Sequence, residues 1–264
     1  MLQNASLPQA FPNNKFSFTF IIPYRHSMDR LMNLKRTIEW ITSFTGAEVI
    51  LVEQDKVPKI KNLYLKNVKY VFTKSELPFN RSWGFNVGIK YSTTPIVIFG
   101  DSDLILDPQQ FIDSVNKLNE YDVVSPYSSV IDLEPQEVNL GLPGWKQIAR
   151  PGRGDTDNQK INLCGGIVMM RKDAATRIGG WDQSFIGWGG EDDFEAFKVK
   201  TLLTWYEMPG RVYHLFHPKA IPDTKWYQRT LQLLSKLVQM KPDELQRYIQ
   251  GTLPKVGMTN LFDK

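Results

Sequence analysis

The stretch Phe16–Asp55, FSFTFIIPYRHSMDRLMNLKRTIEWITSFTGAEVILVEQD, decides the fold class. It begins and ends with a run of β-branched and aromatic residues, each typical of a buried strand. Between these runs, apolar side chains recur at helical spacing, at Leu31, Leu34, Ile38 and Ile41. A strand, a helix and a strand in this order form a βαβ unit, so we expect an α/β protein with a mostly parallel sheet. Ligands of such sheets bind at the carboxyl ends of the strands.

The rest of the chain continues this alternation. The pattern predicts strands over 68–73, 96–99, 122–127 and 165–172, and helices over 83–94, 108–120, 191–203 and 226–240, with a short last helix from Pro242. Residues 211–219 are expected to form an edge strand or a turn. We therefore predict a flexible N-terminus over 1–15, one α/β domain over 16–222 and a C-terminal helical extension over 223–264.

Composition excludes several classes of protein. Hydrophobic residues make up 42% and charged residues 23% of the 264 residues, as in globular proteins. The net charge of +4 gives no argument for a nucleic-acid partner. The single cysteine, Cys164, is expected to be buried and fits a reducing compartment. No apolar window approaches the roughly 18 residues of a membrane span, and no targeting signal is recognised, so we expect a cytoplasmic protein. The sequence carries no signal for an oligomeric state.

Two groups of side chains have the chemistry of metal ligands. Asp101 and Asp103 follow the strand over 96–99 and can present oxygen atoms to a divalent cation. Asp-x-Asp is also common in turns, where each carboxylate binds local backbone amides. His214 and His217 are two of the three histidines, and imidazole with carboxylate suits manganese better than magnesium. Hydrogen-bonded core histidines are the alternative.

The stretch GWGGEDDF, Gly187–Phe194, places an acidic run after a glycine-rich loop. Carboxylates in the first turn of a helix favour the macrodipole by about 0.3–1 kcal/mol each, which explains Glu191, Asp192 and Asp193 but not the loop. A tryptophan beside carboxylates, with glycines that permit close approach, favours a carbohydrate subsite. Its members are Trp188, Gly189, Gly190, Glu191, Asp192 and Asp193.

Further polar side chains follow predicted strands. Arg81 and Asn86, in PFNRSWGFNVG, lie where a phosphate or a ribose could meet donors, and Arg25 follows the first strand in the same way. Glu53, at the end of the second strand, could accept hydrogen bonds from a nucleoside. Each motif alone is weak, and Arg81 as an ordinary surface residue is the alternative.

Together these motifs resemble a known family. IIPYR, FNRSWGFNVG, FGDSDLI, CGGIVMMRK, GGWDQSFIGWGGEDD and HLFH, in this order from Phe18 to Pro218, resemble the beta-1,4-galactosyltransferases and the related chondroitin-polymerase-like and family-two glycosyltransferases. The resemblance implies the GT-A fold, which is Rossmann-like, with a mostly parallel central sheet flanked by helices. The C-terminal helical appendage lies beyond it.

The resemblance also implies roles on the donor side. Pro23 and Arg25 match residues that contact the nucleotide, and Arg81 matches one that reaches the diphosphate. Asp103 matches the manganese ligand, with Asp101 nearer the ribose and the donor sugar.

On the metal and acceptor sides, His217 matches a second metal ligand. His214 stands where the galactosyltransferases have a methionine. Trp188 matches the residue over the sugars, Glu191 one that binds hydroxyls, and Asp192 the catalytic base. The family's third consecutive aspartate is replaced here by Phe194.

The implied function is metal-dependent, inverting transfer of a hexose or N-acetylhexosamine. The donor is a UDP-sugar, the acceptor a hydroxyl of a glycan or glycoconjugate, and the cofactor Mn2+ with Mg2+ as the other candidate. A catalytically inactive carbohydrate-binding protein and a sugar nucleotidyltransferase are the alternatives. The aperiodic segment 128–162 is expected to be an acceptor-side lid that orders when the donor binds, or else a solvated insertion.

Overall fold

The computed structural model describes residues 17–60, 68–156, 161–219, 221 and 223–253, so the predicted flexible stretch 1–15 lies outside the described residues. Its strands are β1 (Phe18–Tyr24), β2 (Glu48–Asp55), β3 (Val68–Lys74), β4 (Ile96–Phe99), β5 (Leu104–Leu106), β6 (Val123–Ser125), β7 (Ser129–Asp132), β8 (Val168–Arg171), β9 (Trp205–Glu207) and β10 (Arg211–His214). Its α-helices are α1 (Met28–Phe44), α2 (Arg81–Tyr91), α3 (Pro108–Lys117), α4 (Gly141–Trp145), α5 (Lys172–Arg177), α6 (Glu191–Leu202), α7 (Thr224–Leu237) and α8 (Pro242–Thr252). The α/β class is confirmed.

The central sheet has seven strands in the order β3-β2-β1-β4-β8-β6-β9. β1 runs parallel to both β2 and β4, and β2 runs parallel to β3. Only β8 runs antiparallel to its neighbours, β4 and β6, so the prediction of a mostly parallel sheet is confirmed. The strand order reverses between β1 and β4. The carboxyl ends of these two strands therefore form a topological switch point, where open α/β sheets bind their ligands.

The βαβ unit forms the centre of the core because β1 is buried on both faces. Phe20 belongs to the apolar cluster under α1, whereas Ile21 belongs to the cluster on the opposite face, as the two-residue period of a strand requires. In α1, Leu34, Ile38 and Ile41 are buried in the same cluster as Phe20, which confirms the predicted helical face.

A second sheet of three strands, in the order β5-β10-β7, was not predicted. Its central strand is β10, so the expectation of an edge strand or turn over 211–219 is wrong. The segment 128–162, which has no periodic pattern in the sequence, nevertheless contains β7, a short 3-10 helix, α4 and the buried Trp145. β10 is antiparallel to β5 and parallel to β7 in a register that sets His214 beside Leu104 and Asp132.

The two C-terminal helices pack onto α6. Leu237 of α7 and Leu245 and Ile249 of α8 are buried in the cluster that also contains Phe194. Cys164 lies in this cluster too, buried and free as predicted. Among the described residues, no helix combines the length and the apolar character that a membrane crossing requires.

Candidate active site

Asp103, His214 and His217 come together at the switch point, and we call them the metal triad. One ligand atom of each lies within 4.8 Å of the other two. The Nε2 atom of His217 is 3.3 Å from Asp103 Oδ2, and that of His214 is 3.8 Å from Asp103 Oδ1. Asp103 follows β4, and His214 ends β10, so the small sheet brings the three side chains together.

Both imidazoles of the metal triad are held with Nε2 free to act as a ligand. Nδ1 of His217 lies 2.8 Å from the carbonyl oxygen of Pro218, which can only accept, so Nδ1 carries the proton. Nδ1 of His214 donates in the same way to Asp132 Oδ1, at 2.8 Å. A carboxylate behind a ligating histidine is the usual outer support of a metal site. One carboxylate and two oriented imidazoles therefore fit a divalent transition-metal cation.

The carboxylates of Asp101, Glu191 and Asp192, which we call the acidic cluster, surround one guanidinium. Arg81, the first residue of α2, is 8% exposed, and its Nε donates to Asp101 Oδ1 at 2.7 Å. Nη1 donates to Asp192, Nη2 donates to the carbonyl oxygen of Gly166 at 3.2 Å, and Glu191 lies 4.0 Å from Nη1. The carboxylates raise the pKa of Arg81 despite its burial. Arg81 is thus the shared counterion of the acidic cluster.

Asp192 and Glu191 stand in the first turn of α6. Removal from water raises the pKa of Asp192 well above its usual range, although the charge of Arg81 opposes the rise. The pKa of Glu191 is raised for the same reason. The Asp192 side chain is still 30% exposed, and it opens into a pocket of about 240 Å³. The pocket is lined by Asn162, Trp188, Gly189, Gly190, Glu191, Asp192, Asp193, Tyr227 and Leu231.

An aromatic pair stands at this pocket. Trp188 is 62% exposed, and its ring centroid lies 5.5 Å from that of Tyr227 in α7. The sequence analysis predicted a helix over 226–240 but did not assign Tyr227 or Leu231 to the site. Their i, i+4 spacing is also that of an ordinary packing face, so the sequence contained no signal that distinguishes the two roles.

The glycines before α6 are required by backbone geometry. Gly189 has φ +100° and Gly190 has φ +87°, a region that favours glycine. A Cβ atom on Gly189 would lie 3.0 Å from the Tyr227 ring, and one on Gly190 would lie 2.9 Å from the Phe185 ring. The sequence analysis predicted that these glycines let a sugar approach the backbone. In the structure, the groups that approach them closely are Tyr227 of α7 and Phe185.

Two predicted nucleotide-binding residues have partners inside the protein. The buried carboxylate of Glu53 accepts hydrogen bonds from the Tyr70 hydroxyl and from the backbone nitrogen of Lys59, at 3.0 Å for the latter. The side chain of Asn86 pairs with the backbone of Trp181, donating at 2.7 Å and accepting at 2.8 Å. Both side chains therefore hold neighbouring segments in place.

The remaining predicted residues lie at the strand ends or at the pocket. Pro23 is the last residue but one of β1 and lies against α2, where Gly84 leaves room for its ring. Arg25 is half-buried, and its Nε donates to the carbonyl oxygen of Gln54 at 2.8 Å. Asp193 lines the pocket and accepts a hydrogen bond of 2.7 Å from Asn162.

Comparisons with known proteins identify a family. The model of glycosyl transferase family 2 matches residues 19–179, and a model described as the N-terminal domain of galactosyltransferase matches residues 155–217. No curated protein sequence matches the chain.

Solved structures share the fold at low sequence identity. GalNAc-T7, crystallised with UDP, GalNAc and Mn2+, is 15% identical, with a TM-score of 0.58 over 91% of this chain and 51% of that chain. The catalytic domain of Drosophila beta-1,4-galactosyltransferase 7 with xylobiose is 15% identical, with a TM-score of 0.50 over 86% of this chain and 83% of that chain. A mutant of the Drosophila enzyme, crystallised with manganese, UDP-Gal and xylobiose, is 17% identical, with a TM-score of 0.45 over 74% of this chain and 64% of that chain. This chain therefore spans less than two thirds of two of these relatives. The fold is the GT-A fold of glycosyltransferases.

Proposed function

The chain belongs to glycosyl transferase family 2, and we propose that it is a metal-dependent, inverting glycosyltransferase. Its donor is a UDP-sugar that carries a hexose or an N-acetylhexosamine, and its acceptor is a hydroxyl of a glycan or glycoconjugate. One observation carries the proposal: Arg81 bonds both to Asp101, two residues before Asp103, and to Asp192, in the pocket. The metal triad and the pocket that contains Asp192 are thus neighbours.

The metal triad supplies the ligands for Mn2+, which its imidazoles favour over Mg2+. When bound, the cation neutralises charge on the departing diphosphate. Support comes from the fit of the donor set and from the Mn2+ and UDP in the GalNAc-T7 structure.

Asp192 is the proposed general base. Its raised pKa suits removal of a proton from the acceptor hydroxyl. The acceptor oxygen bonds to the anomeric carbon while the bond from that carbon to the diphosphate oxygen breaks, so the configuration inverts. The proton passes to Asp192 and the bonding electrons leave with UDP.

Trp188 and Glu191 hold the acceptor beside this base. The exposed Trp188 ring offers a stacking surface for a sugar. Glu191 Oε2 is buried and lacks a hydrogen-bond partner among the described residues, so it can accept a hydroxyl hydrogen. Asn162 also lines the pocket, which supports an acceptor-side role for the end of the segment 128–162. A cytoplasmic location, which the single cysteine fits, stays a prediction.

The test is turnover of purified protein with UDP-galactose, UDP-glucose and their N-acetyl forms, with Mn2+ and a panel of glycan acceptors. Released UDP is measured, and proton NMR of the product gives the anomeric configuration. We expect one UDP-sugar to be consumed with acceptor and metal, and a β-linked product from the α-linked donor. A retained configuration, or no transfer from any UDP-sugar, would contradict the proposal.

A further inference from the structure

An arginine of α1 stands beside the metal triad without a role in the site described so far. Nη2 of Arg30 lies 3.5 Å from Nδ1 of His217. One turn further along α1, the Asn33 side chain donates to the carbonyl oxygen of Phe216 at 3.0 Å. Residues three apart share a face of a helix, so this bond fixes Arg30 against the segment that carries His217.

The guanidinium of Arg30 has no acceptor in this arrangement. The proton on His217 Nδ1 is donated to the Pro218 carbonyl, so Nδ1 cannot also accept from Arg30. Within the described residues, the Arg30 side chain makes no ion pair and no other hydrogen bond. The charged guanidinium of Arg30 therefore stands beside the metal triad with donors that a ligand could use.

The two other arginines near the strand ends differ from Arg30 in their contacts. Arg81, which matches a diphosphate-binding arginine, directs Nε, Nη1 and Nη2 to Asp101, Asp192 and Gly166. Arg25 donates from Nε to the carbonyl oxygen of Gln54, and its guanidinium faces the Phe79 ring at 6.0 Å. Its Nη2 is buried without a hydrogen-bond partner among the described residues, but no hydrogen bond or ion pair of the described residues joins Arg25 to the metal triad, as the contact with His217 does for Arg30. A charged phosphate oxygen at the metal triad needs a cationic donor that is free to turn toward it, and guanidinium groups bind phosphate well.

We propose that Arg30 binds the diphosphate of the sugar nucleotide beside the metal triad. The inference rests on the proposed function, because it assigns a residue to the donor subsite of the same reaction. Arg30 holds the two phosphates while they are part of the donor and continues to hold them as they leave with UDP.

The test is calorimetric titration of UDP, UMP and uridine, each with Mn2+, into the wild type, Arg30→Gln and Arg30→Lys. The matched control is Arg36→Gln, which removes another arginine of α1 whose side chain donates to Asn139 at 2.8 Å. We expect Arg30→Gln to weaken UDP binding about tenfold, the loss of one charge-assisted bond. The affinity for UMP should fall less than that for UDP, and the affinity for uridine should not change. Arg30→Lys should bind UDP more tightly than Arg30→Gln does. Arg36→Gln should have the wild-type affinity for all three.

Titration of Mn2+ without nucleotide separates this role from a structural one. Removal of a cation beside the metal triad should leave Mn2+ affinity unchanged or higher, because the repulsion between the two cations is gone. A lower Mn2+ affinity in Arg30→Gln would mean that Arg30 only supports His217, and would overturn the inference. An unchanged ratio of UDP to UMP affinity would overturn it as well. A wild type that does not bind UDP would instead defeat the proposed function.

Discussion

The metal triad and the acidic cluster are neighbours, yet they balance their charges in opposite ways. In the metal triad, Asp103 faces two imidazole Nε2 atoms and forms no ion pair with lysine or arginine among the described residues. In the acidic cluster, three carboxylates share the guanidinium of Arg81. The carboxylate of Asp103 is therefore available as a ligand for a metal cation. The acidic cluster has its own counterion, and burial raises the pKa values of Glu191 and Asp192.

The largest expected effect separates chemistry from binding. Asp192→Asn removes the proposed base, so kcat should fall about 10³-fold, within the range for general-base catalysis. The affinity for UDP depends on the metal triad and needs no base. It should therefore stay within about twofold of the wild-type value. Steady-state kinetics and calorimetry measure the two quantities. Asp113→Asn, on the exposed side of α3, is the control. Turnover at the wild-type rate in Asp192→Asn would show that the base lies elsewhere.

Arg81→Gln tests whether the acidic cluster depends on its internal counterion. Three carboxylates would lose their shared cation in a buried setting, so the free energy of unfolding should fall by about 3 kcal/mol. Urea denaturation measures it. Adding Asp192→Asn to Arg81→Gln should restore part of the loss, because one of the repelling charges is gone. If Arg81→Gln alone were as stable as the wild type, the cluster would not need the guanidinium.

The corresponding test of the metal triad is Asp132→Asn. The amide can still accept from His214 Nδ1 but carries no charge. The affinity for Mn2+ should therefore fall about tenfold, at the lower end of the loss seen when a residue that supports a metal ligand is replaced. Calorimetric titration of Mn2+ measures this. Asp173→Asn is the control, because it removes the charge of a carboxylate of α5 that pairs with Arg177 at 3.5 Å. Equal affinities in Asp132→Asn and the wild type would remove His214 from the ligand set.

The smallest effect concerns the sugar surface. Trp188→Ala removes a stacking partner, which should raise the acceptor KM about five-fold, since such contacts contribute about 0.5–1.5 kcal/mol. Mn2+ and UDP affinities should be unchanged. The control is Trp205→Ala, another exposed tryptophan, on β9. An unchanged acceptor KM would place the acceptor away from Trp188.

The parts of the molecule that the sequence predicted are those set by local patterns. The buried runs of β1 and β2 and the helical face of α1 follow from strand and helix periods, and the α/β class follows from their order. The metal triad could be anticipated because Asp103 and His217 lie in motifs that resemble a family.

Long-range contacts could not be read in this way. The strand β7 has four residues, and its pairing with β10, about 80 residues away, is what brings Asp132 to His214. A sequence also shows that an arginine follows a strand but not what its donors contact, so Arg81 was assigned to a diphosphate while Arg30 was overlooked. Tertiary structure decides which polar side chains are already engaged.

The most direct test of the central claim is calorimetric titration of UDP into the wild type, first with Mn2+ and then with EDTA, with GDP as the control nucleotide. The account predicts binding of UDP that is at least about tenfold weaker in EDTA, because the cation that the metal triad requires is then absent, and weaker binding of GDP. Equal affinity for UDP in Mn2+ and EDTA, or no binding in either, would contradict it.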